Sequence, residues 1–145
     1  MSKIILASGS PRRKELLEQI GIEFDIITSD VDETTLITQP DEYVKYLSRI
    51  KAQAVWDMVK DDDDYRNEDV VVIGADTIVS HKEHILTKPV DETDAYRILK
   101  ELSGDCHQVY TGVTLLYGDG SSKSFSNRTD VYCYELTDKE IHDYI

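Results

Sequence analysis

Ser8, Gly9 and Ser10, followed by Pro11, Arg12, Arg13 and Lys14, put small residues next to three cations in one short stretch. The chemistry this offers is anion binding. Small side chains let an anion reach the backbone, and the free N–H groups of a helix start lie at the positive end of its dipole. Cations are disfavoured at that end, so the basic residues need a negative partner, and a polyphosphate would serve. A capped helix with a solvated basic turn would read the same way. Asp30, Asp32 and Glu33 gather the oxygen donors that a hard divalent cation prefers, or else form a solvated acidic turn. Asp76 is an acid between the apolar runs Val70–Ile73 and Ile78–Val79. Ionised there, it needs a metal or a lysine as partner, unless backbone donors of a turn satisfy it.

Periodicity says which elements must carry these groups. Lys3–Ala7 is short and rich in branched residues and predicts a strand. Ser10 falls at a helix N-cap and Pro11 at the first helical position, with Leu16, Leu17 and Ile20 as the expected buried face and Gly21 as the stop. Phe24–Thr28 alternates and predicts a second strand. A longer helix over roughly residues 40–60 carries Val44, Leu47, Val55 and Met58 at helical spacing. Lys51 lies within that apolar stripe, so its ammonium must snorkel out or meet a counter-charge.

Asp69–Ile73 is continuously branched and predicts a central strand covered on both faces. Gly74–Thr77 is expected to interrupt it before Ile78-Val79 resumes. That places Asp76 at the carboxyl end of a core strand, where open α/β sheets bind ligands. His81–His84 reads as an exposed turn with surface histidines, and Ile85–Thr87 as a short returning strand that leads to Lys88-Pro89. Asp91 opens a helix striped by Ala95, Ile98, Leu99 and Leu102 and ended by Gly104. Val109–Tyr117 and Lys123–Tyr134 make a hairpin through Gly118-Asp119-Gly120. Thr137–Glu140 is a capping box, with Leu136 and Ile141 as its hydrophobic staple.

The chain has 145 residues, 40% of them hydrophobic and 31% charged, which suits one domain around one core. The net charge of -13 argues against nucleic acid and anionic membranes as partners. It would also repel a free nucleotide, so a nucleotide enzyme of this charge needs a locally positive pocket and a divalent cation. Asp61–Asp64 with Glu68-Asp69 reads as a solvated acidic loop. Cys106 and Cys133 make neither a disulfide framework nor a zinc spacing and are expected as small residues of core strands. No apolar run has membrane-spanning length and no secretion signal precedes the first strand, so a cytoplasmic protein is expected.

Ala7-Ser8-Gly9-Ser10-Pro11-Arg12-Arg13 resembles the signature of the Maf family of nucleoside triphosphate pyrophosphatases. The resemblance continues through Ser29–Glu33, Lys51-Ala52, Ile73–Val79, Thr87-Lys88-Pro89, Leu102-Ser103-Gly104 and Val109–Val113, in the family's order and approximate spacing. It implies an α/β fold, a mixed twisted sheet flanked by helices, with two lobes and a central cleft. It also implies hydrolysis of a nucleoside triphosphate to the monophosphate and pyrophosphate. On matching positions the resemblance makes Asp76 the proton acceptor. It makes Ser8, Ser10, Arg12, Arg13, Lys51 and Lys88 phosphate-binding residues. Glu33 and Asp76 become the carboxylates for Mg²⁺ or Mn²⁺. Arg12 and Thr77 resemble the subgroup acting on dTTP and UTP, with modified pyrimidines such as 5-methyl variants also implied; the subgroup acting on 7-methyl-GTP differs at both. Family chains run on past the position of Ile145, so a single Maf-like domain over 1–145 without the family's C-terminal segment is expected. A homodimer accords with the family's habit. The alternative reading is a nucleotide-binding regulator of septum formation that does not hydrolyse its ligand.

Overall fold

The computed structural model describes residues 2–66 and 69–145; Glu68, read above from the sequence, lies outside the described residues. In chain order the elements are β1 (Ser2–Leu6), α1 (Pro11–Gln19), β2 (Asp25–Ile26), α2 (Pro40–Val59), β3 (Asp69–His81), β4 (His84–Leu86), α3 (Glu92–Leu102), β5 (Cys106–Tyr117), β6 (Ser122–Tyr132) and α4 (Asp138–Tyr144). The sheet is mixed, in the order β2-β1-β3-β5-β6, with β4 also on β3. β2 and β3 run parallel to β1, whereas β4 and β5 run antiparallel to β3. This is the expected α/β class.

Local signals explain most element ends. Gly21 stands at φ 77° and closes α1: its N–H donates to the Glu18 carbonyl, and the Ile22 N–H donates to the Leu17 carbonyl. Those are the paired bonds of a Schellman motif. The Asp91 side chain accepts from the Asp94 N–H and starts α3. Thr137 and Glu140 complete both halves of the capping box that starts α4, and Ile141 is buried. Lys82 and Glu83 take φ values of 50° and 67° in the two-residue turn between β3 and β4. Positive φ at both positions is what a tight hairpin matching strand twist demands.

Several expectations need correction. The apolar stripe of α1 is not a buried face: Leu16 and Ile20 are 54% and 67% exposed, and no residue of α1 is buried. The packed core lies on the other side of the sheet, where α2 contributes Ala52, Val55 and Val59 against Ile5, Val70, Val72 and Leu116. For the same reason β3 is central but not covered equally on both faces: Val70 and Val72 are buried, whereas Val71 and Ile73 are half-buried. Met58 is exposed because its neighbour Val59 takes the last place in the α2 stripe. The second strand shrinks to Asp25-Ile26. The Asp61–Asp64 run is an exposed turn, as expected.

Two glycines let α2 lie directly on the sheet. A Cβ at Gly74 would fall on the Ser48 carbonyl and press on Ala52; one at Gly112 would fall on the Val44 carbonyl. The buried Ser48 hydroxyl meets Thr114 Oγ1 at 2.7 Å across the same contact. Gly74→Ala should cost about 3 kcal/mol in urea unfolding, as overpacking against backbone does. A cost below about 0.5 kcal/mol would show that α2 slides freely.

Candidate active site

β3 keeps β5 along one edge without a break, from Val71 opposite Tyr117 to Ser80 opposite Gln108. Its other edge is shared. β1 pairs only as far as Ile73, and β4 pairs only from Val79 onward. The strand between them faces an opening, and Asp76 sits in it, just past the carboxyl end of β1. Gly74–Thr77 therefore does not interrupt the strand, contrary to the sequence expectation. Pairing with β5 holds these residues extended despite their weak strand preference.

Alternation along β3 sends Asp76 and Thr77 to opposite faces, and a different helix serves each. On the first face, Lys51 of α2 places Nζ 2.8 Å from Asp76 Oδ1 and 3.1 Å from Glu33 Oε1. Burial works against the ammonium, but its hydrogen bonds and charge contacts with the two carboxylates prevail, and its pKa lies above the ordinary lysine value. Asp76 is 13% exposed at its side chain, and its Oδ2 is buried with no hydrogen-bond partner among the described residues. A buried acceptor left open beside a cation is uncommon in a folded protein and marks a place for a ligand. Tyr43, two turns before Lys51 on α2, is also near. Burial, and then the charges of Asp76 and Glu33, raise its pKa.

On the second face, Arg13 of α1 donates from Nη2 to Thr77 Oγ1 at 2.8 Å and from Nη1 to Ser8 Oγ at 3.0 Å. Burial lowers its pKa, and the charge of Asp76 opposes that shift. Ser8 Oγ also accepts the Ser10 N–H at 3.3 Å, while the Ser10 side chain makes no cap. Ser10 thus holds the expected N-cap position without the expected bond. A cavity of about 340 Å³ is lined by Ser8, Gly9, Asp30, Glu33, Lys51 and Ala75 among others.

The structure therefore brings Ser8, Arg13, Glu33, Lys51, Asp76 and Thr77 together. Arg12 is exposed at the start of α1, and Asp32 spends Oδ1 on the Thr34 N–H at 2.9 Å. Lys88 is exposed beyond the end of β4 and is not brought to this group. Among the described residues no three His, Cys, Asp or Glu side chains converge as a ready metal cluster. Tyr43 escaped the sequence reading because a tyrosine on a half-buried helix carries no signal of its own. Its one clue is a spacing of eight residues from Lys51, which puts both on nearly the same helix face.

His81 is not the surface histidine expected. It is 4% exposed, with Nδ1 2.7 Å from Glu101 and Nε2 2.9 Å from Asp105. The hydrogen bond it donates to Asp105 raises its pKa against the effect of burial, and Glu101 adds to the rise. Its free-state value is about 6.5. Its contribution to stability is therefore full below about pH 6.5 and fades as pH rises through the higher folded value. Asp105 is lowered by the same bond. Its contribution holds above about pH 3.9 and fades as pH falls through the lower folded value. Melting temperature measured from pH 6 to pH 9 should fall for the parent and lose that slope in His81→Gln. An equal slope in both would remove His81 as its source.

A family profile described as Maf-like protein matches residues 3–145. The chain belongs to the Maf family. A dTTP/UTP pyrophosphatase of Agathobacter rectalis is 47% identical over 154 residues, covering 100% of this chain and 75% of the relative. One of Bacillus thuringiensis subsp. konkukian is 47% identical over 146 residues, covering 100% and 72%. Among solved structures, the Staphylococcus aureus Ham1 protein shares the fold at a TM-score of 0.57, with 16% identity, over 90% of this chain and 71% of that one. A nucleoside-triphosphatase / dITP/XTP pyrophosphatase of Mycobacterium abscessus does so at 0.54, with 14% identity, over 91% and 74%. The likeness to those two is one of fold. In this Maf protein no helix among the described residues is long and apolar enough to cross a membrane.

Proposed function

We propose that this Maf protein hydrolyses pyrimidine nucleoside triphosphates, dTTP and UTP among them, to the monophosphate and pyrophosphate. The observation that carries the reading is the open Oδ2 of Asp76, whose other oxygen holds Lys51, a residue that also lines the cavity. A triphosphate is the ligand that two fixed cations and a basic helix start would hold. Arg13 offers a planar pair of donors, Lys51 a point charge, and Lys88 a further cation from the β4 side. Asp76, through Oδ2, accepts the proton of the attacking water.

Glu33 and Asp76 would hold a divalent cation, Mg²⁺ or Mn²⁺. The residues fit it: Glu33 Oε1 and Asp76 Oδ1 already meet at one cation, the Lys51 ammonium, which leaves Oδ2 of Asp76 for the proton. Two protein carboxylates leave the remaining positions to phosphate oxygens and water, which is how Mg²⁺ is commonly held. When bound, the ion would draw off charge developing on the phosphate oxygens. The likeness of Arg12 and Thr77 to the family's dTTP- and UTP-acting subgroup supports the pyrimidine preference, as do the names of the relatives. The same names disfavour a non-hydrolysing regulator of septum formation. The two free cysteines accord with a reducing cytoplasm, where we place the activity.

The test is pyrophosphate release from a panel of triphosphates with and without Mg²⁺. dTTP and UTP should turn over at least tenfold faster than 7-methyl-GTP, a gap of about 1.4 kcal/mol in activation free energy. The reverse order would overturn the substrate assignment, and nucleotide-induced thermal stabilisation without pyrophosphate release would overturn the enzyme.

A further inference from the structure

We infer that Thr111 is a positioning residue for Arg13, acting through the hydroxyl of Thr77. The inference rests on the reading of Arg13 as a triphosphate clamp. Thr77 and Thr111 stand directly opposite one another on β3 and β5, and their hydroxyl oxygens are 3.1 Å apart. Arg13 Nη2 lies 2.8 Å from the same Thr77 oxygen. A guanidinium only donates, so this bond uses one acceptor site of Thr77. The Thr77 hydroxyl keeps its proton and one further lone pair, and Thr111 engages one or the other. Thr77 is exposed, so without Thr111 little fixes the direction of its hydroxyl. With Thr111 in place, a cross-strand threonine pair sets that direction.

The guanidinium is then held at two points, by Ser8 on the loop after β1 and by Thr77 on β3. Two anchors fix its plane; one would leave it free to rotate. Two of the three hydrogen-bonding sites of the Thr77 hydroxyl go to Arg13 and Thr111. Position 77 thereby acts on the set of the Arg13 fork, and Thr111, a residue no substrate need touch, shares that influence.

The test compares Thr111→Val, which keeps the shape and loses the hydroxyl, with Thr111→Ser, which keeps the hydroxyl. In the ligand-free protein, the Arg13 Nη resonances in nitrogen-15 NMR should show hindered rotation in the parent and in Thr111→Ser, and averaging in Thr111→Val. Calorimetry with inorganic tripolyphosphate should give affinity about tenfold weaker for Thr111→Val and within about twofold for Thr111→Ser, the scale of one weakened charge-assisted hydrogen bond. KM for dTTP should rise by a similar factor with kcat nearly unchanged. Thr111→Val should add nothing on a Thr77→Val background, the non-additivity expected of one chain of contacts. Hindered Arg13 rotation and unchanged tripolyphosphate affinity in Thr111→Val would overturn the inference. A parent that binds tripolyphosphate, shows the Thr111 effect and releases no pyrophosphate would instead overturn the hydrolytic reading alone.

Discussion

Asp76→Asn is expected to lower pyrophosphate release about 10³-fold, within the range that loss of a general base produces, while the protein melts within a few degrees of the parent. The amide has nearly the shape of the carboxylate, so the strand and its pairing with β5 are untouched. Its oxygen can still accept from Lys51, and Lys51 retains Glu33 at 3.1 Å. What disappears is a basic oxygen in the position of Oδ2, which is buried and makes no hydrogen bond among the described residues. Stability and turnover should therefore part company at this residue. Comparing kcat with a thermal melt on the same preparation decides the matter. Retention of more than a tenth of parental kcat would take Asp76 out of the proton transfer.

Lys51→Met should act in two directions at once. The methionine keeps the apolar stem that packs in the α2 stripe but leaves Glu33 and Asp76 facing each other without the cation they share. Turnover should fall about 10²-fold through loss of a phosphate contact and of the charge that orients Asp76. Affinity for Mn²⁺ alone, read by electron paramagnetic resonance without nucleotide, should rise about tenfold, because a resident positive charge no longer opposes the ion. Unchanged or weaker Mn²⁺ binding would show that the two carboxylates are not the cation's seat.

The parts of this fold that were legible beforehand are those with a local cause. Gly21 at positive φ, the Asp91 cap, the Thr137–Glu140 box and the stripe of α2 each depend on residues a few places apart. What stayed hidden depends on distant partners. The continuity of β3 through Gly74 and Asp76 comes from β5, some thirty to forty residues later, as Asp76 opposite Gly112 illustrates. His81 looked like a surface residue because its acids, Glu101 and Asp105, lie 20 and 24 positions downstream. The stripe of α1 is periodic and yet exposed, since periodicity says which face is apolar and not whether anything covers it. Within the site, Lys51 was legible as a cation in an apolar stripe that had to snorkel out or meet a counter-charge. That it meets Asp76 and Glu33 was not visible, nor was the tie from Arg13 to Thr77, because each joins segments distant in the chain.

The bare contact of α2 on Gly74 and Gly112 has a last consequence. Backbone rests on backbone there, so the seat of Lys51 relative to Asp76 is fixed by main chain rather than by how neighbouring side chains interlock. Heat tolerance and chemical rate are thereby written in different places. Trimming Val55 or Val59 removes buried surface and should make the protein melt sooner, yet leave the rate per folded molecule almost where it was. Selection for hardiness can then rework the interior without renegotiating the reaction.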